Sequence, residues 1–435
     1  MAGLRKTLEY LNAVRRRFEA TLATARAKAA RIDAVPPRSA RLREITNFGT
    51  NPGNLLMRAY VPNSVPRMPS LVVALHGCTQ TADEFDHGTG WSTLADGLGF
   101  VVIYPEQQPS NNPQSCFSWF LPGDATRDCG EALSIRQMIE RAIVDFGIDR
   151  RRVFVTGLSA GGAMTSVMLA TYPETFAGGA IIAGLPYGCA ASVKEAFEAM
   201  FNERLTSARA LGDRVRAASR YQGPWPKLSV WHGSADPTVR PSNAEEIIGQ
   251  WLNVHGLSAR PSHVENLTGH LRRVWHDANG EAMIEAFSIC GMAHGVPLAT
   301  GEGDRNCGIP GPFFLDVGIS STHHIAKFWG LANIGAQSRS APREAWTAPS
   351  DGALSGEVET IARVSGAAVE AMDRRFEWHE NHRTHSSLDP NVVIAEAFSA
   401  AGLPPPESNI HPRGSPVVPG PIIEAALKAV GLMPR

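Results

Sequence analysis

The 435-residue sequence contains no apolar run of the length needed to cross a bilayer. It also lacks the apolar core of a secretory signal, because charges are spread throughout the N-terminal segment. The formal net charge is only −1, so no overall attraction to nucleic acid is expected. These features predict a globular protein without a transmembrane segment. They favour the cytoplasm, with the periplasm and the extracellular space left open.

The sequence has few cysteines, and no two of them have the C-x-x-C spacing of a zinc site. We therefore predict no metal site and no cofactor. Buried reduced thiols are slightly favoured, since free cysteine packs as a small hydrophobic residue. The alternative is a disulfide across a short loop, for which two pairs are suitably spaced. The six cysteines are Cys78, Cys116, Cys129, Cys189, Cys290 and Cys307, and the two loop-bracketing pairs are Cys116/Cys129 and Cys290/Cys307.

The pattern divides the chain into an N-terminal arm (1–40), a central domain (41–333) and a C-terminal extension (334–435) rich in Pro and Ala. Leu and Phe recur at three- and four-residue steps over 4–32, which predicts an amphipathic helix. Packing of its apolar face on the central domain or on a second subunit is favoured. Contact of residues 1–35 with the surface of a polymer granule is the alternative.

The C-terminal extension is predicted to contain short helices, two of which have similar sequences. His379, His382 and His385 lie three residues apart in this extension. No carboxylate or cysteine completes a metal site around them, so a polar helix end is the favoured interpretation.

Short apolar runs alternate with helical stretches between about 41 and 333, which predicts an α/β fold with a mostly parallel sheet covered by helices on both faces. Asn279-Gly280 lies between two apolar runs and predicts a local antiparallel hairpin. The predicted strands are "NLLMRAYV", "SLVVALHG", "FVVIYPE", "RVFVTG", "GGAIIAG", "KLSVWHG" and "AMIEAFSI", and the predicted helices include "GEALSIRQMIERAIVDFG", "GAMTSVMLATYP" and "STHHIAKFWGLA".

The segment Gly157-Leu158-Ser159-Ala160-Gly161 has the G-x-S-x-G pattern directly after a strand and before a helix. That context is typical of a nucleophile elbow, in which a strained turn presents the serine hydroxyl above the sheet. The alternative is an N-cap serine after a glycine turn. The pattern alone does not decide between them, so the decision depends on the partners a nucleophile needs.

A serine nucleophile needs a base, an acid that orients the base, and donors for the oxyanion. Asp236 follows the strand "KLSVWHG" and His294 follows the last core strand, in the order Ser, Asp, His that α/β-hydrolases use. Upstream, His76-Gly77-Cys78 ends another strand, so the amides of Cys78 and Ala160 are the predicted oxyanion donors. The competing histidines lie in a predicted hairpin or helix; they are His270, His276, His323 and His324. Together these elements predict that Ser159 is a nucleophile.

Several long strings also resemble the polyhydroxybutyrate depolymerase family of esterases: "ALHGCTQTADEFDHGTGW", "YPEQQPSNNPQSCFSWF", "RDCGEALSIRQMI", "TGLSAGGAM", "AGLPYGCAASVKEAF" and "GISSTHHIAKFWGL". The resemblance covers about 41–333. It implies an α/β-hydrolase fold and ester hydrolysis through an acyl-enzyme, with Ser159, Asp236 and His294 at the family's triad positions. No separate polymer-binding module is visible, which favours soluble oligomers, amorphous granules or small esters as substrates.

Substrate contacts are predicted from position alone. Trp119 and Phe120 lie in a loop after a strand, and Trp91 and Met292 are further candidates, although core packing would explain each equally well. The favoured function is hydrolysis of polyester, its oligomers or short-chain esters. A feruloyl or acetylxylan esterase is the nearest alternative. A catalytically idle hydrolase fold that binds granules is the alternative from another functional class.

Overall fold

The computed structural model describes residues 41–203, 206–301 and 307–331. The predicted N-terminal helix, the histidine-rich segment and the C-terminal extension lie outside these residues. Within the described ranges, no helix is both long and apolar enough to cross a bilayer. The strands are β1 Arg43–Ile45, β2 Leu56–Tyr60, β3 Leu71–Leu75, β4 Val101–Glu106, β5 Val153–Leu158, β6 Gly178–Ile182, β7 Lys227–Gly233, β8 His263–Leu267, β9 His270–His276, β10 Ala282–Ile289, β11 Val296–Leu298 and β12 Phe314–Asp316.

Ten of these strands form one sheet in the order β1-β2-β4-β3-β5-β6-β7-β10-β9-β8. The central strands from β4 to β10 pair in parallel, whereas the two edges are antiparallel. All seven strands predicted from sequence are present. The prediction of a mostly parallel sheet in an α/β fold is therefore confirmed. A separate small sheet pairs β11 with β12 in parallel.

The sheet is covered on both faces, as β3 shows most clearly. Leu71, Val73 and Leu75 belong to one core cluster, and Val72 and Ala74 belong to the other, because successive side chains of a strand point to opposite faces. Helices α4, α5, α6, α7 and α8 contribute to the first cluster, and α1, α2 and α9 contribute to the second. The helices are α1 Ala82–Thr89, α2 Trp91–Leu98, α3 Pro122–Ala125, α4 Gly130–Phe146, α5 Ala160–Thr171, α6 Val193–Phe201, α7 Ala208–Ala217, α8 Ser242–His255 and α9 Ser321–Phe328.

The predicted hairpin joins β9 to β10 in antiparallel register. Gly280 adopts a φ of 80°, and Asp277 Oδ1 accepts hydrogen bonds from the main-chain N–H groups of Asn279 and Glu281. The turn forms because glycine accepts a left-handed conformation at little cost. The prediction at Asn279-Gly280 is confirmed.

The expectation of buried reduced thiols is wrong for Cys78 and Cys116, which form a disulfide. The disulfide also removes Cys116 from the predicted pairing with Cys129, whose side chain is exposed. Cys290 is exposed and Cys307 is buried, and these two are not bonded to each other. The sequence could not identify the pair, because the two bonded cysteines are 38 residues apart and belong to different loops that meet only in the fold.

Candidate active site

Ser159 occupies the turn between β5 and α5 and has a left-handed backbone, with a φ of 57° and a ψ of −116°. Such a conformation is strained for a residue with a side chain, and strained backbone conformations cluster at functional sites. The turn is held by two main-chain hydrogen bonds, from Ser159 N–H to the Ile182 carbonyl (2.9 Å) and from Ala163 N–H to the Ser159 carbonyl (2.8 Å). The side chain makes no cap hydrogen bond to the helix. Ser159 therefore occupies the N-cap position of α5, but its side chain does not cap the helix.

Two glycines allow the helix to leave the strand at this sharp angle. A Cβ atom on Gly161 would collide with the main-chain oxygens of Leu75 and His76 at the end of β3. A Cβ atom on Gly157 would collide with the main chain of Gly161 itself. The first turn of α5 therefore lies directly against the end of β3, which places Ser159 next to the His76-Gly77-Cys78 turn.

Asp236 and His294 are brought together at the carboxyl ends of the parallel strands. Asp236 follows β7, His294 follows the neighbouring strand β10, and both side chains are buried. His294 Nδ1 donates to Asp236 Oδ2 at 2.7 Å. Because Nδ1 carries the hydrogen of this bond, Nε2 is left as the acceptor of the neutral ring. Within the described residues, His294 Nε2 makes no hydrogen bond, and none joins it to Ser159 Oγ; such contacts tighten when substrate binds.

The loops that carry the pair are joined through their main chains. Ala235 N–H donates to the Met292 carbonyl at 3.1 Å, and Ser234 N–H donates to the Ile289 carbonyl at 2.9 Å. A Cβ atom on Gly233 would collide with the carbonyl oxygens of Met292 and its neighbour, so glycine is needed for this close approach. The separation of Asp236 from His294 is thus set by main-chain contacts.

Asp236 is held in its ionised form by four donors. Its Oδ1 accepts from the amides of Thr238 (2.8 Å) and Val239 (3.0 Å), and its Oδ2 lies near His294 and near a second histidine, His232 Nε2, at 3.3 Å. Burial alone would raise the pKa of the Asp236 carboxyl. Electrostatic attraction to the His294 and His232 rings, together with their hydrogen bonds, opposes burial and holds the pKa well below its ordinary value. An ionised carboxylate in this position can orient the imidazole of His294.

The predicted oxyanion donors have main-chain N–H groups that the fold leaves unused. Ala160 is the first residue of α5, where an amide has no partner inside the helix. In the described part of the chain, neither the Ala160 amide nor the Cys78 amide donates to another protein group. Unused donors above a strand end are what an oxyanion hole requires.

His76 fixes the peptide that carries the Cys78 amide. Its Nε2 accepts from the Gln107 N–H at 3.0 Å, so its hydrogen lies on Nδ1, which donates to the Gly77 carbonyl at 2.8 Å. Burial lowers the pKa of His76 to about 4, and the ring is neutral near pH 7. In a trans peptide the N–H points away from the C=O. The Gly77 carbonyl therefore turns toward His76, and the Cys78 N–H turns to the opposite side.

Two of the four predicted substrate contacts are wrong. Trp91 is buried in the core against Trp329 (ring centroids 5.7 Å apart) and Phe100. The Met292 side chain is also buried in the core, in the loop before His294. In both cases packing accounts for the side chain, because no surface is left to contact a substrate.

The other two predicted contacts lie close to the oxyanion turn. The disulfide places Cys116 beside Cys78, with Cα atoms 4.3 Å apart, and the loop continues to Trp119 and Phe120. Trp119 is mostly buried, and the partly exposed Phe120 packs edge-on against it at 5.3 Å. Contact of these two rings with substrate stays a prediction.

Sequence reasoning missed Phe313 and His232. The partly exposed Phe313 lies edge-on to the His294 ring at 6.1 Å and has a φ of 64°, an outlier for a bulky residue. No sequence signal identifies it, because the pairing of β12 with β11, and not any local pattern, brings it beside His294. His232 did have a signal, since His232-Gly233 ends a strand as His76-Gly77 does.

A serine hydrolase of the α/β-hydrolase class is defined by three features together. They are the mostly parallel sheet, the strained serine turn, and the Asp–His pair at the carboxyl ends of the strands. The family model described as esterase PHB depolymerase matches residues 56–264. The chain is 48% identical to poly(3-hydroxyalkanoate) depolymerase C of Paucimonas lemoignei, over 67% of this chain and 70% of that protein. It therefore belongs to the PHB depolymerase family of esterases, and the resemblance seen in the sequence is confirmed.

Carbohydrate esterases are also similar to this chain. An acetylxylan esterase of Coprinopsis cinerea is 35% identical over 59% of this chain and 70% of that protein. Among solved structures, the acetyl xylan esterase from Aspergillus awamori superimposes with a TM-score of 0.57 and 28% identity, covering 67% of this chain and 99% of that one. The similarity to a solved esterase supports the assignment of the fold.

Proposed function

We propose that the chain hydrolyses poly(3-hydroxybutyrate)-type polyester, its oligomers and related short-chain esters through an acyl-enzyme on Ser159. The observation that carries this proposal is the 2.7 Å hydrogen bond from His294 Nδ1 to Asp236 Oδ2. This pair and the Ser159 turn all follow the carboxyl ends of parallel strands. This bond leaves His294 Nε2 to accept the serine proton.

In the first half-reaction, Ser159 Oγ attacks the ester carbonyl while His294 Nε2 takes its proton. The amides of Cys78 and Ala160 stabilise the oxyanion of the tetrahedral intermediate. His294 then returns the proton to the leaving alkoxide oxygen, which departs as an alcohol. Asp236 remains ionised throughout and stabilises the imidazolium that forms.

In the second half-reaction, His294 removes a proton from water, whose oxygen attacks the acyl carbon of the Ser159 ester. The oxyanion forms at the same two amides. Collapse of the intermediate releases the acid and returns the proton to Ser159 Oγ. One water is consumed for each ester bond, and no other reactant is needed.

The acyl and alcohol groups are proposed from similarity and from the walls of the site. The 48% identity to poly(3-hydroxyalkanoate) depolymerase C is well above the 35% identity to an acetylxylan esterase, which supports polyester over acetylated xylan. Phe120 and Phe313 are partly exposed aromatic side chains near the oxyanion turn and the base, respectively. Such rings suit an apolar acyl chain better than a sugar hydroxyl.

A substrate panel tests the proposal. We expect 3-hydroxybutyrate oligomers and p-nitrophenyl butyrate to give higher kcat/KM values than acetylated xylan or methyl ferulate. Amorphous polymer should be hydrolysed as well. Ser159→Ala serves as the control for contaminating esterases and should be inactive on every substrate. A kcat/KM for acetylated xylan above that for the oligomers would contradict the polyester assignment.

We also propose an oxidising compartment, on the basis of the disulfide. A Cys78–Cys116 bond forms and persists in an oxidising environment, which supports the periplasm or the extracellular space over the cytoplasm that the sequence favoured. Titration of thiols in protein isolated under alkylating conditions tests this assignment. Cys78 and Cys116 should resist alkylation until a reductant is added.

Contact of residues 1–35 with a granule surface, and formation of a homo-oligomer, also stay proposals. Deletion of residues 1–35 distinguishes a surface anchor from a segment that packs on the central domain or on a second subunit. A surface anchor predicts loss of binding to amorphous granules with an unchanged rate on p-nitrophenyl butyrate. A packing role predicts a lower Tm or a changed oligomer.

A further inference from the structure

The loop that follows β4 is attached to the oxyanion turn at three points. The disulfide joins Cys116 to Cys78. Thr79 N–H donates to the Gln114 carbonyl at 2.6 Å, and Gln107 N–H donates to His76 Nε2 at 3.0 Å. Any change in the 107–119 loop is therefore transmitted to the peptide that carries the Cys78 amide.

A buried carboxylate organises this loop from the opposite side. Glu131, the second residue of α4, has an exposed fraction of only 2%. Its Oε1 accepts from Gln107 Nε2 at 2.6 Å, and its Oε2 accepts from the main-chain N–H of Ser118 at 2.8 Å. The loop is thus held at its first residue and, close to its end, beside Trp119.

Gln107 connects the carboxylate to the disulfide. Besides its bond to Glu131, its Nε2 donates to the Cys116 carbonyl at 3.2 Å. Contacts run from Glu131 to Gln107, from there to Cys116, through the disulfide to Cys78, and back through His76 to Gln107. They form a closed ring that includes the proposed oxyanion donor.

Keeping a carboxyl at this buried position is costly. Burial raises the pKa of Glu131 to about 7, and the nearby Asp124 carboxyl adds to the rise, although the bonds from Ser118 and Gln107 oppose it. Burying a polar group costs stability unless hydrogen bonds replace those it made to water. The bonds of Glu131 go to the loop that is covalently joined to the oxyanion turn.

We propose that Glu131 is a positioning residue of the oxyanion hole, which acts through Gln107 and Ser118 to hold the 107–119 loop and thereby the Cys78 amide. The inference rests on the proposed function, because it requires the Cys78 amide to stabilise the oxyanion. Glu131 does not touch the reacting atoms. Its removal should therefore lower the rate of the chemical step without weakening substrate binding.

The test compares two substitutions of buried carboxylates. Glu131→Gln preserves the bond from Ser118 but places an NH₂ group against Gln107 Nε2. Asp86→Asn is the matched control, because Asp86 is a buried carboxylate that accepts from Ser92 and Tyr104 in a different part of the core. kcat and KM are measured with p-nitrophenyl butyrate, and active sites are counted with a fluorophosphonate. Tm is measured for each variant.

We expect Glu131→Gln to lower kcat at least tenfold per labelled site, with KM changed less than threefold. Asp86→Asn should lower Tm but keep kcat within threefold of wild type. A folded Glu131→Gln variant with kcat within threefold of wild type overturns the proposal. An equal fall in kcat for both variants also overturns it, because a general loss of structure would then explain the effect.

If Glu131→Gln does not fold, Gln107→Met decides the question. Methionine has a similar size and keeps the main-chain bond to His76, but it removes the side-chain donations to Glu131 and Cys116. It also removes the oxygen that accepts from Gln108 and Asn111 within the same loop. We expect the same fall in kcat at unchanged KM, and a kcat within threefold of wild type overturns the proposal. Failure of the proposed function is a separate result, since a wild-type chain that a fluorophosphonate does not label would show it before any variant is made.

Discussion

Two turns of the molecule share the dipeptide His-Gly and use it in opposite ways. His76-Gly77 follows β3, and His232-Gly233 ends β7; both histidines are buried. At the first turn, His76 Nε2 accepts a hydrogen bond from the Gln107 amide. At the second, His232 Nε2 faces two acceptors, the Val239 carbonyl at 2.9 Å and Asp236 Oδ2 at 3.3 Å, and must carry a hydrogen.

The difference shows that partners, not the dipeptide, determine what each imidazole does. His76 has its hydrogen on Nδ1 and orients the Gly77–Cys78 peptide beside the proposed oxyanion hole. His232 has its hydrogen on Nε2 and contacts the acid that orients the base. His232 Nδ1 is buried and has no hydrogen-bond partner within the described residues. One turn supports the donors and the other supports the acid, with the Ser159 turn between them in the order of strands.

Among substitutions at or beside the two His-Gly turns, the largest effect is expected from removing the charge of Asp236, which His232 contacts. Asp236→Asn keeps the size of the side chain but no longer favours a hydrogen on His294 Nδ1. kcat for p-nitrophenyl butyrate should fall by about 10⁴, as it does in other serine triads when the acid becomes an amide. A fall of less than tenfold would show that Asp236 does not orient the base.

A smaller effect is expected at the first turn, where His76 Nδ1 donates the hydrogen bond that orients the Gly77 carbonyl. His76→Asn places an NH₂ group near the former Nδ1, whereas His76→Gln places its amide near the former Nε2. Loss of a well-placed oxyanion donor costs about 10² in kcat, and we expect His76→Gln to approach that loss and His76→Asn to lose less. The comparison fails if the order of the two variants is reversed while both remain folded.

The same two substitutions should give the opposite order at the second turn. His232→Gln keeps a donor near the former Nε2 and can still reach Asp236, whereas His232→Asn cannot. Because three other donors to Asp236 remain, we expect a loss in kcat of only about tenfold for His232→Asn, from the ~1.5 kcal/mol of a hydrogen bond to a charged group. Equal rates for the two variants would show that His232 has no effect on Asp236.

The pH dependence of stability tests the neutral state of His76 in a separate measurement. The pKa of His76 is lowered to about 4 in the folded chain, so between pH 6.5 and 4 the unfolded chain binds more protons at this residue. The free energy of unfolding should therefore fall as the pH is lowered through this range, by about 3 kcal/mol more in the wild type than in His76→Asn. Urea unfolding at several pH values measures the difference. Parallel pH profiles for the two proteins would contradict the assignment of a neutral His76.

The sequence predicted what depends on local pattern and chain order. The seven predicted strands were all found because they appear as apolar runs, and Ser159, Asp236 and His294 could be selected because each follows a buried parallel strand. The polar edge strand β8 lacks this signal, since one face and one edge are open to solvent. The disulfide, the contact of His232 with Asp236 and the burial of Trp91 arise from segments distant in the chain. No local pattern contains them.

The central claim is that Ser159 is the nucleophile between the two turns, and covalent labelling tests it most directly. A fluorophosphonate should react with the folded wild-type chain at one site, and peptide mass spectrometry should place the adduct on Ser159. Ser159→Ala should remain folded and unlabelled, with a loss in kcat on the order of 10⁶. An adduct on another residue, or a Ser159→Ala variant that retains more than about 1% of the wild-type rate, would contradict the account.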